Sequence, residues 1–201
     1  MKSYMCGKNA ILDKNAVIGK YFDKKNNFKK TIIGDSANIR SGTIIYYGNR
    51  IGDNFQTGHN VLIRQNNIIG NNVSVGSHTE IAFNTRIEDG VRIHSNVFIP
   101  EKTILRKNCW IGPGVVITNS KYPHSKDSKK KLKGVEIEEN VKIGANSTIL
   151  PGIKIRKNSL IGAGSVVTKD VNPDSVYMGN PARFFKKIEE LKDSSGEKIY
   201  D

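Results

Sequence analysis

The stretch Ile33-Gly-Asp-Ser-Ala-Asn-Ile-Arg-Ser-Gly-Thr-Ile-Ile45 contains the pattern that decides the fold, because an aliphatic residue recurs at every sixth position with turn formers between. From Ile33 to Ile117, fourteen of fifteen such positions are Ile, Val or Leu, Thr57 being the exception, and from Ile137 to Val167 all six are. At 37% hydrophobic residues, chance would give about eight of these twenty-one positions, not twenty. A period of six suits short strands separated by bends and wound in stacked layers.

Three hexapeptides make one triangular coil of eighteen residues, and strands of adjacent coils lie about 4.8 Å apart. The twenty-one clean hexapeptides therefore predict seven coils. Strands that are parallel and buried on their inner face explain the run of branched aliphatic residues. The sequence thus predicts an all-β protein, a parallel β-helix. Its hand does not follow from the repeat, since parallel crossovers are usually right-handed.

Two segments depart from the repeat within the predicted β-helix domain, residues 1–179. A lysine- and asparagine-rich interruption runs from Lys20 to Lys30. Ile117 and Ile137 are twenty residues apart, so the polar segment 118–134 cannot be an ordinary coil. We expect a protruding loop there, and a loop of that length in a compact domain is usually functional.

The last segment, residues 180–201, reads as a short C-terminal α-helix followed by a tail. Asn180 can cap the helix and Pro181 fits its first turn. Phe184, Ile188 and Leu191 would share one face of that helix.

The overall composition and charge limit the classes of ligand and the compartment that we expect for this protein. The formal charge of +13 could suit nucleic acid, but no nucleic-acid-binding motif accompanies it, so anionic small molecules such as phosphate-bearing cofactors and nucleotide sugars explain it better. No stretch approaches the length of a membrane span, and the N-terminus lacks a secretory apolar core. The cysteines, Cys6 and Cys109, are too few for a disulfide scaffold, and we expect a cytoplasmic protein with reduced thiols.

The Ile-Gly-x-x-(small)-x repeat, the segment Ile161-Gly-Ala-Gly-Ser-Val-Val-Thr-Lys-Asp170 and the closing Gly179-Asn-Pro-Ala-Arg183 resemble the hexapeptide-repeat acyltransferases. This resemblance implies a left-handed β-helix and a homotrimer that uses acetyl-CoA or an acyl carrier protein as donor. Within that family, Trp110-Ile-Gly-Pro-Gly-Val-Val-Ile-Thr-Asn119 is similar to the nucleotide-amino-sugar N-acetyltransferases.

The resemblance also implies a donor site. In the family, coenzyme A lies between two subunits, and its pantetheine arm contacts backbone groups of the C-terminal coils. The matching positions here are Ala145, Ala163, Lys169 and Arg183. Small residues let the backbone approach a ligand closely, and Lys or Arg suits its phosphates.

Acceptor chemistry separates the candidate reactions. Similar sugar O-acetyltransferases carry a catalytic histidine before a proline in the protruding loop, where this chain has Tyr122 before Pro123. Asn119, at the root of the loop, matches the residue that holds the acceptor amine in the amino-sugar enzymes. The resemblance therefore favours acetyl transfer to the amine of a nucleotide-linked amino sugar. Transfer to a sugar hydroxyl and the use of an acyl carrier donor remain open.

Histidines supply candidate general bases. Thr57, Val75 and Ile93 are eighteen residues apart, so His59, His78 and His94, which follow them, should lie along one side of the prism. His59 is also similar to the general base of lipid A acyltransferases, although it lies three coils below Asn119, roughly 14 Å by strand spacing. His94 lies one coil below Asn119. Either histidine could act as the base near neutral pH.

Two functions of other classes are compatible with the same β-helix architecture. The γ-class carbonic anhydrases need a zinc ion held by three histidines, two of them close in sequence, but the position five residues after His94 is Ile99. We therefore expect no metal. A non-enzymatic β-helix would be expected to have a defective donor motif, whereas Ala163, Lys169 and the Asn-Pro-Ala-Arg segment are all present here.

Overall fold

A computed structural model describes residues 3–21 and 29–200, so most of the interruption between Lys20 and Lys30 lies outside the described residues. The described chain winds into a prism whose three faces are parallel β-sheets, with each strand hydrogen-bonded to its counterparts in the coils below and above. Within these ranges the helices are two 3-10 turns, Ser128–Lys131 and Ile188–Glu190, and no helix is long and apolar enough to cross a membrane.

Each face of the prism takes every third strand of the chain up to Val166–Val167, and the two strands that follow both join sheet 2. Sheet 1 contains Tyr4–Cys6, Thr31–Ile33, Arg50–Ile51, Ile68–Ile69, Arg86–Ile87, Ile104–Leu105, Glu136–Ile137 and Lys154–Ile155. Sheet 2 contains Ile11–Leu12, Asn38–Ile39, Gln56–Thr57, Ser74–Val75, Arg92–Ile93, Trp110–Ile111, Lys142–Ile143, Leu160–Ile161, Ser175–Gly179 and Ala182–Lys187. Sheet 3 contains Val17–Lys20, Ile44–Tyr46, Leu62–Ile63, Glu80–Ile81, Phe98–Ile99, Val116–Ile117, Thr148–Ile149 and Val166–Val167.

The twenty-one predicted hexapeptides are confirmed as the twenty-one strands from Thr31–Ile33 to Val166–Val167. An eighth coil precedes them, because Tyr4–Cys6, Ile11–Leu12 and Val17–Lys20 pair with the first regular coil. The hexapeptide count did not include this coil, because the interruption between Lys20 and Lys30 hides its register in the sequence.

Every sixth residue points into the core, where the aliphatic column is almost fully buried. The exception, Thr57, is satisfied there: its hydroxyl accepts the Arg40 N–H at 3.0 Å and lies 3.2 Å from the hydroxyl of Thr43. A hydrogen-bonded hydroxyl costs little inside a core, so the break in the aliphatic pattern does not break the coil.

The bends that join the faces are tight and regular. We call the bends after sheet 1, sheet 2 and sheet 3 strands corner 1–2, corner 2–3 and corner 3–1. Each of the regular bends contains a residue with left-handed φ, a conformation that Asn and Gly adopt at least cost. At corner 2–3 this position is filled by Gly42, Asn60, His78, Asn96, Gly114, Asn146 and Gly164, with φ between 56° and 74°.

The inserted segment 118–134 leaves and re-enters the prism at corner 3–1. Its neck is closed by the Lys133 N–H, which donates to the Asn119 carbonyl at 2.9 Å. Thr118 anchors the start through its hydroxyl, which donates to the Ile149 carbonyl at 2.9 Å. Beyond this neck most side chains are exposed, so the segment projects from the prism.

The predicted C-terminal α-helix is wrong. Ser175–Gly179 extends sheet 2 beside Leu160–Ile161, and Ala182–Lys187 pairs with it antiparallel. Gly179, with φ of 97°, ends the first of these strands, and the turn is formed by Asn180 and Pro181, where the sequence suggested a helix start. Phe184 packs edge-on against Tyr177 across the hairpin, at 5.9 Å between ring centroids. Pairing with the open edge of sheet 2 outweighs the weak helical periodicity of this segment.

One strand offers a matched test of the core. Ile69 is 3% exposed and its neighbour Ile68 is 54% exposed on the outer face. Ile69→Ala should lower the free energy of unfolding by about 2–5 kcal/mol because it leaves a cavity. Ile68→Ala should lower it by less than about 1 kcal/mol. Denaturant unfolding of both variants checks this, and equal losses would contradict the inward assignment of the sixth position.

Candidate functional site

Apart from Arg183, the residues that the sequence singled out lie at the two corners that flank sheet 3. His59, His94, Ala145 and Ala163 belong to corner 2–3. Asn119, with the protruding loop, belongs to corner 3–1, and so does Lys169. In a single chain the two groups are therefore separated by the width of sheet 3 as well as by height. Spacing along the sequence predicted the height but not this lateral separation.

The three histidines lie on one side of the prism, as predicted. His59 is exposed, and its Nδ1 is 2.8 Å from the Ser41 hydroxyl one coil below. His78 occupies a left-handed position of the bend, φ 59°, and its N–H donates to the His59 carbonyl. Both rings belong to the lower coils, three and two coils below the coil of Asn119.

His94 has the environment expected of a functional base. It stands in a column where Gly58, Gly76 and Gly112 occupy the equivalent places of neighbouring coils. Its ring tilts against Trp110, 4.6 Å between centroids. Its Nε2 is buried and has no hydrogen-bond partner among the described residues. Burial and, to a smaller extent, the charge of Arg92 lower the pKa of His94 below the ordinary 6.5.

Asn119 is half-buried at the root of the loop. Its side-chain nitrogen Nδ2 donates to the Glu101 carbonyl one coil below, at 3.4 Å. Its backbone carbonyl closes the loop neck with Lys133. Within the described chain the side-chain oxygen Oδ1 accepts no hydrogen bond, so it can accept one from a ligand N–H.

Ala145 and Ala163 stack one coil apart at the upper end of corner 2–3. Lower on the same corner, the His59 N–H donates to the Ser77 hydroxyl of the coil above, at 3.0 Å. Above Ala145 the corresponding residue is Ala163, which has no side-chain oxygen. Among the described residues the N–H groups of both alanines have no acceptor. Replacing an oxygen-bearing residue with alanine therefore leaves backbone donors available to a ligand.

Lys169 and Arg183, the two cations predicted to contact acetyl-CoA, are both exposed. Lys169 lies at corner 3–1, two coils above Asn119. Arg183 lies on the outer strand of the C-terminal hairpin, paired with Met178. Met178 lies over Gly162, where a Cβ would come within 2.9 Å of the Met178 Cβ, so Arg183 on the outer strand lies two strands above the level of Ala163.

Sequence reasoning missed Arg92 and Trp110, which shape the surroundings of His94. Arg92 and Trp110 are directly paired across neighbouring strands of sheet 2. The signal was available, because residues eighteen apart are stacked in this fold. Grouping outward positions by that period would have placed both beside His94.

Side chains that can ligate a metal are scattered over the described part of the chain. In residues 3–21 and 29–200, no three His, Cys, Asp or Glu side chains come together in a way that could hold a metal ion. The Cys109 thiol is buried and donates to the Glu138 carbonyl at 2.9 Å, and burial raises the pKa of Cys109 to about 12. It is a core residue in the protonated form.

The family described as the hexapeptide repeat of succinyl-transferase matches residues 66–101 and 134–169. A solved maltose O-acetyltransferase from Clostridium difficile is 30% identical, covering 68% of this chain and 67% of that one, with a TM-score of 0.41. The chain belongs to the hexapeptide-repeat acyltransferase family. Its fold is the left-handed parallel β-helix that the resemblance implied.

One further solved structure agrees with the fold, and another likeness is weaker. The acetyltransferase domain of PglB from Neisseria gonorrhoeae has a TM-score of 0.57 at 18% identity, over 65% of this chain and 57% of that one. The N-acyltransferase AntD from Bacillus cereus, solved with dTDP and coenzyme A, is 19% identical over 90% of this chain and 82% of its own, with a TM-score of 0.40. This hexapeptide-repeat chain thus spans less than two thirds of the PglB domain structure. Comparison with curated protein sequences gives no match.

The surroundings of His94 generate a prediction about its titration. Arg92→Gln removes a nearby positive charge, so protonation of the ring becomes easier and the pKa of His94 should rise. Because burial is the larger cause, the pKa should stay below 6.5. NMR titration of the ring checks this, with Arg156→Gln at corner 1–2 as a charge-matched control. A wild-type pKa above 6.5 would contradict the assigned environment.

Proposed function

We propose that this protein transfers an acetyl group from acetyl-CoA to the amine of a nucleotide-linked amino sugar. The observation that supports the proposal is that the open N–H groups of Ala145 and Ala163 and the side-chain amide of Asn119 lie at the two edges of one prism face. Membership of the acyltransferase family supports the reaction class. The reduced thiols of Cys6 and Cys109 fit the reducing cytoplasm in which we expect the enzyme to act.

A homotrimer would unite the two edges. Sheet 3 has the most apolar outer face, with residues that project outward in register: Val17, Ile44, Leu62, Glu80, Phe98, Val116, Thr148 and Val166. Phe98 is 38% and Val116 40% exposed in the single chain. By contrast, the outer column of sheet 1 contains Arg50, Arg86, Glu136 and Lys154. Burying sheet 3 against other copies removes apolar surface from water.

Threefold closure then follows from the shape. When three prisms each turn sheet 3 toward a common axis, corner 2–3 of one copy lies beside corner 3–1 of the next. Ala145, Ala163 and His94 of one protomer would thereby face Asn119 and Lys169 of its partner. Each of the three grooves would contain both halves of the site, which neither corner contains alone.

The donor would lie along that groove. The open N–H groups of Ala145 and Ala163 can donate to the amide carbonyls of the pantetheine arm. Lys169 and Arg183 are exposed and suit the phosphates of the nucleotide end through charge-assisted hydrogen bonds. An acyl carrier protein presents the same pantetheine arm, so the open N–H groups of Ala145 and Ala163 fit either donor. We propose acetyl-CoA as the donor.

The acceptor amine would meet the thioester beside Asn119. Oδ1 of Asn119 can accept one amine N–H and so aim the nitrogen lone pair at the carbonyl carbon. The new C–N bond forms, the C–S bond breaks, and the thiolate of coenzyme A leaves. The proton that the amine loses balances the proton that the thiolate takes up, so no external co-reactant is needed.

O-acetylation is the second candidate, and His94 is the observation that favours it. Lowered pKa keeps its imidazole neutral near pH 7, which is the form that removes a proton from a hydroxyl. A hydroxyl needs such a base at the moment of attack, whereas an amine that is already deprotonated needs chiefly to be positioned.

The trimer can be tested on its apolar face. Phe98→Glu should shift the protein from trimer to monomer, because three carboxylates would be buried around the axis. Ile68→Glu introduces the same charge on the outer face of sheet 1 and should leave the trimer intact. Light scattering measures both. A trimeric Phe98→Glu protein would show that sheet 3 does not form the interface.

The donor site can be tested by measuring the binding of acetyl-CoA in the absence of an acceptor. Lys169→Ala and Arg183→Ala should each raise the Kd for acetyl-CoA about tenfold, with a smaller effect at high salt. Lys157→Ala at corner 1–2 is the matched control. Calorimetric titration with acetyl-CoA measures the change, and an equal loss in the control would indicate nonspecific attraction.

The reaction itself can be tested with Asn119→Ala and His94→Gln. Loss of a positioning contact in the transition state should lower kcat of Asn119→Ala on amino sugars by about 10²–10³ with acetyl-CoA affinity unchanged. Ser120→Ala is the neighbouring control. Thiol release from acetyl-CoA is followed with paired amino and hydroxy nucleotide sugars. Transfer only to hydroxy sugars, abolished by His94→Gln and retained by Asn119→Ala, would replace N-acetylation with O-acetylation.

A further inference from the structure

A groove runs down corner 2–3 beneath His94. Its volume is about 230 Å³, and it extends over three coil steps from Arg40 to His94, about 14 Å at the spacing of parallel strands. The groove lies below the alanines of the proposed donor site, so the pantetheine arm does not account for it.

Two glycines create the groove. Gly58 and Gly76 stand between Arg40 and His94 in the same column, and they project no side chain where those residues do. A Cβ at Gly76 would lie 2.5 Å from the carbonyl carbon of His94, and a Cβ at Gly58 would lie 2.5 Å from the nitrogen of Ser77. Both positions therefore require glycine, and the depression is built into the backbone.

The groove is lined by two arginines that form no ion pair among the described residues. Arg40 and Arg92 line the groove, and no carboxylate does among the described residues. Neither guanidinium lies within 4.0 Å of a carboxylate in the described part of the chain. By contrast, Arg106, in another surface cavity, is held between Glu88 at 2.9 Å and Glu136 at 2.7 Å. The groove arginines are thus free to pair with a ligand.

Neutral donors complete the lining. Ser74 and Ser95 place hydroxyls along the groove, and His94 stands at its upper end. The Nε2 of His94 is buried without a partner in residues 3–21 and 29–200. A buried polar atom left unpaired costs free energy, so a ligand group that reached Nε2 would gain a hydrogen bond there.

We propose that this groove binds the phosphate groups of the acceptor substrate through Arg40 and Arg92, with the sugar toward His94. Fork-shaped guanidinium groups match phosphate oxygens in bidentate pairs. The role as an acceptor site rests on the proposed function, whereas binding of a diphosphate in the groove does not. Phosphates anchored low in the groove would direct the sugar upward, toward the level at which the partner's loop root lies.

Inorganic pyrophosphate is the probe, titrated calorimetrically into the purified protein at constant ionic strength. Arg40→Gln and Arg92→Gln should each raise its Kd at least about tenfold, since each removes a charge-assisted contact. Ser74→Val, which fills the groove without changing charge, should weaken binding to a similar extent. Arg156→Gln at corner 1–2 has the same change of charge and should alter Kd less than about twofold.

Each contrary outcome overturns the proposal. Equal weakening in Arg156→Gln would mean attraction by the net charge of +13 alone. Unchanged binding in Ser74→Val would mean that no enclosed groove is used. Loss in Lys169→Ala, with Arg40→Gln unaffected, would place pyrophosphate in the donor site. If pyrophosphate binds the groove but no amino sugar is acetylated, the groove stands and the N-acetylation proposal fails.

Discussion

Backbone hydrogen bonds between neighbouring coils are the constraint on which the rest of the structure depends. They fix each strand to those below and above it, as when the His94 N–H donates to the Ile111 carbonyl at 2.9 Å and the Gly76 N–H to the Ile93 carbonyl at 2.8 Å. Because this ladder holds the coil at eighteen residues, extra chain can enter only where it leaves the ladder intact. The insertion at 118–134 does so at a corner, and the strands on either side of it pair in register.

A fixed coil spacing turns each outward column into a series of equivalent positions whose chemistry can change one residue at a time. Arg40, Gly58, Gly76 and His94 share one backbone setting, yet they give a cation, two gaps and a base. In the adjacent column, Ser77 caps a backbone N–H, whereas Ala163 leaves the corresponding N–H open. Function on this scaffold therefore arises from departures from the repeat, while stability arises from adherence to it.

The same distinction explains what sequence could predict. The inward column follows from a strict period, so the strands from Thr31 to Val167 were predictable one by one. Outward residues obey no period, so the contact of His94 with Trp110 became visible only when strands were placed in register. The lateral separation of His94 from Asn119 was missed because coil height was considered without the corner. The C-terminal segment was misassigned because the Gly-Asn-Pro-Ala turn serves a hairpin as well as a helix start, and only the open edge of sheet 2 decides between them.

That hairpin also bears on the site. A sheet edge invites pairing with other chains unless it is covered or carries charge. Here Ser175–Gly179 covers the edge of sheet 2, and the outer strand presents Arg183, Lys186 and Lys187, which disfavour further strand addition. Had the segment been a helix, Arg183 would project from a separate element. As part of a strand, Arg183 is paired with Met178, one strand beyond the level directly above Ala163. The hairpin therefore covers the edge of sheet 2 and also places the Arg183 cation at the end of the donor surface.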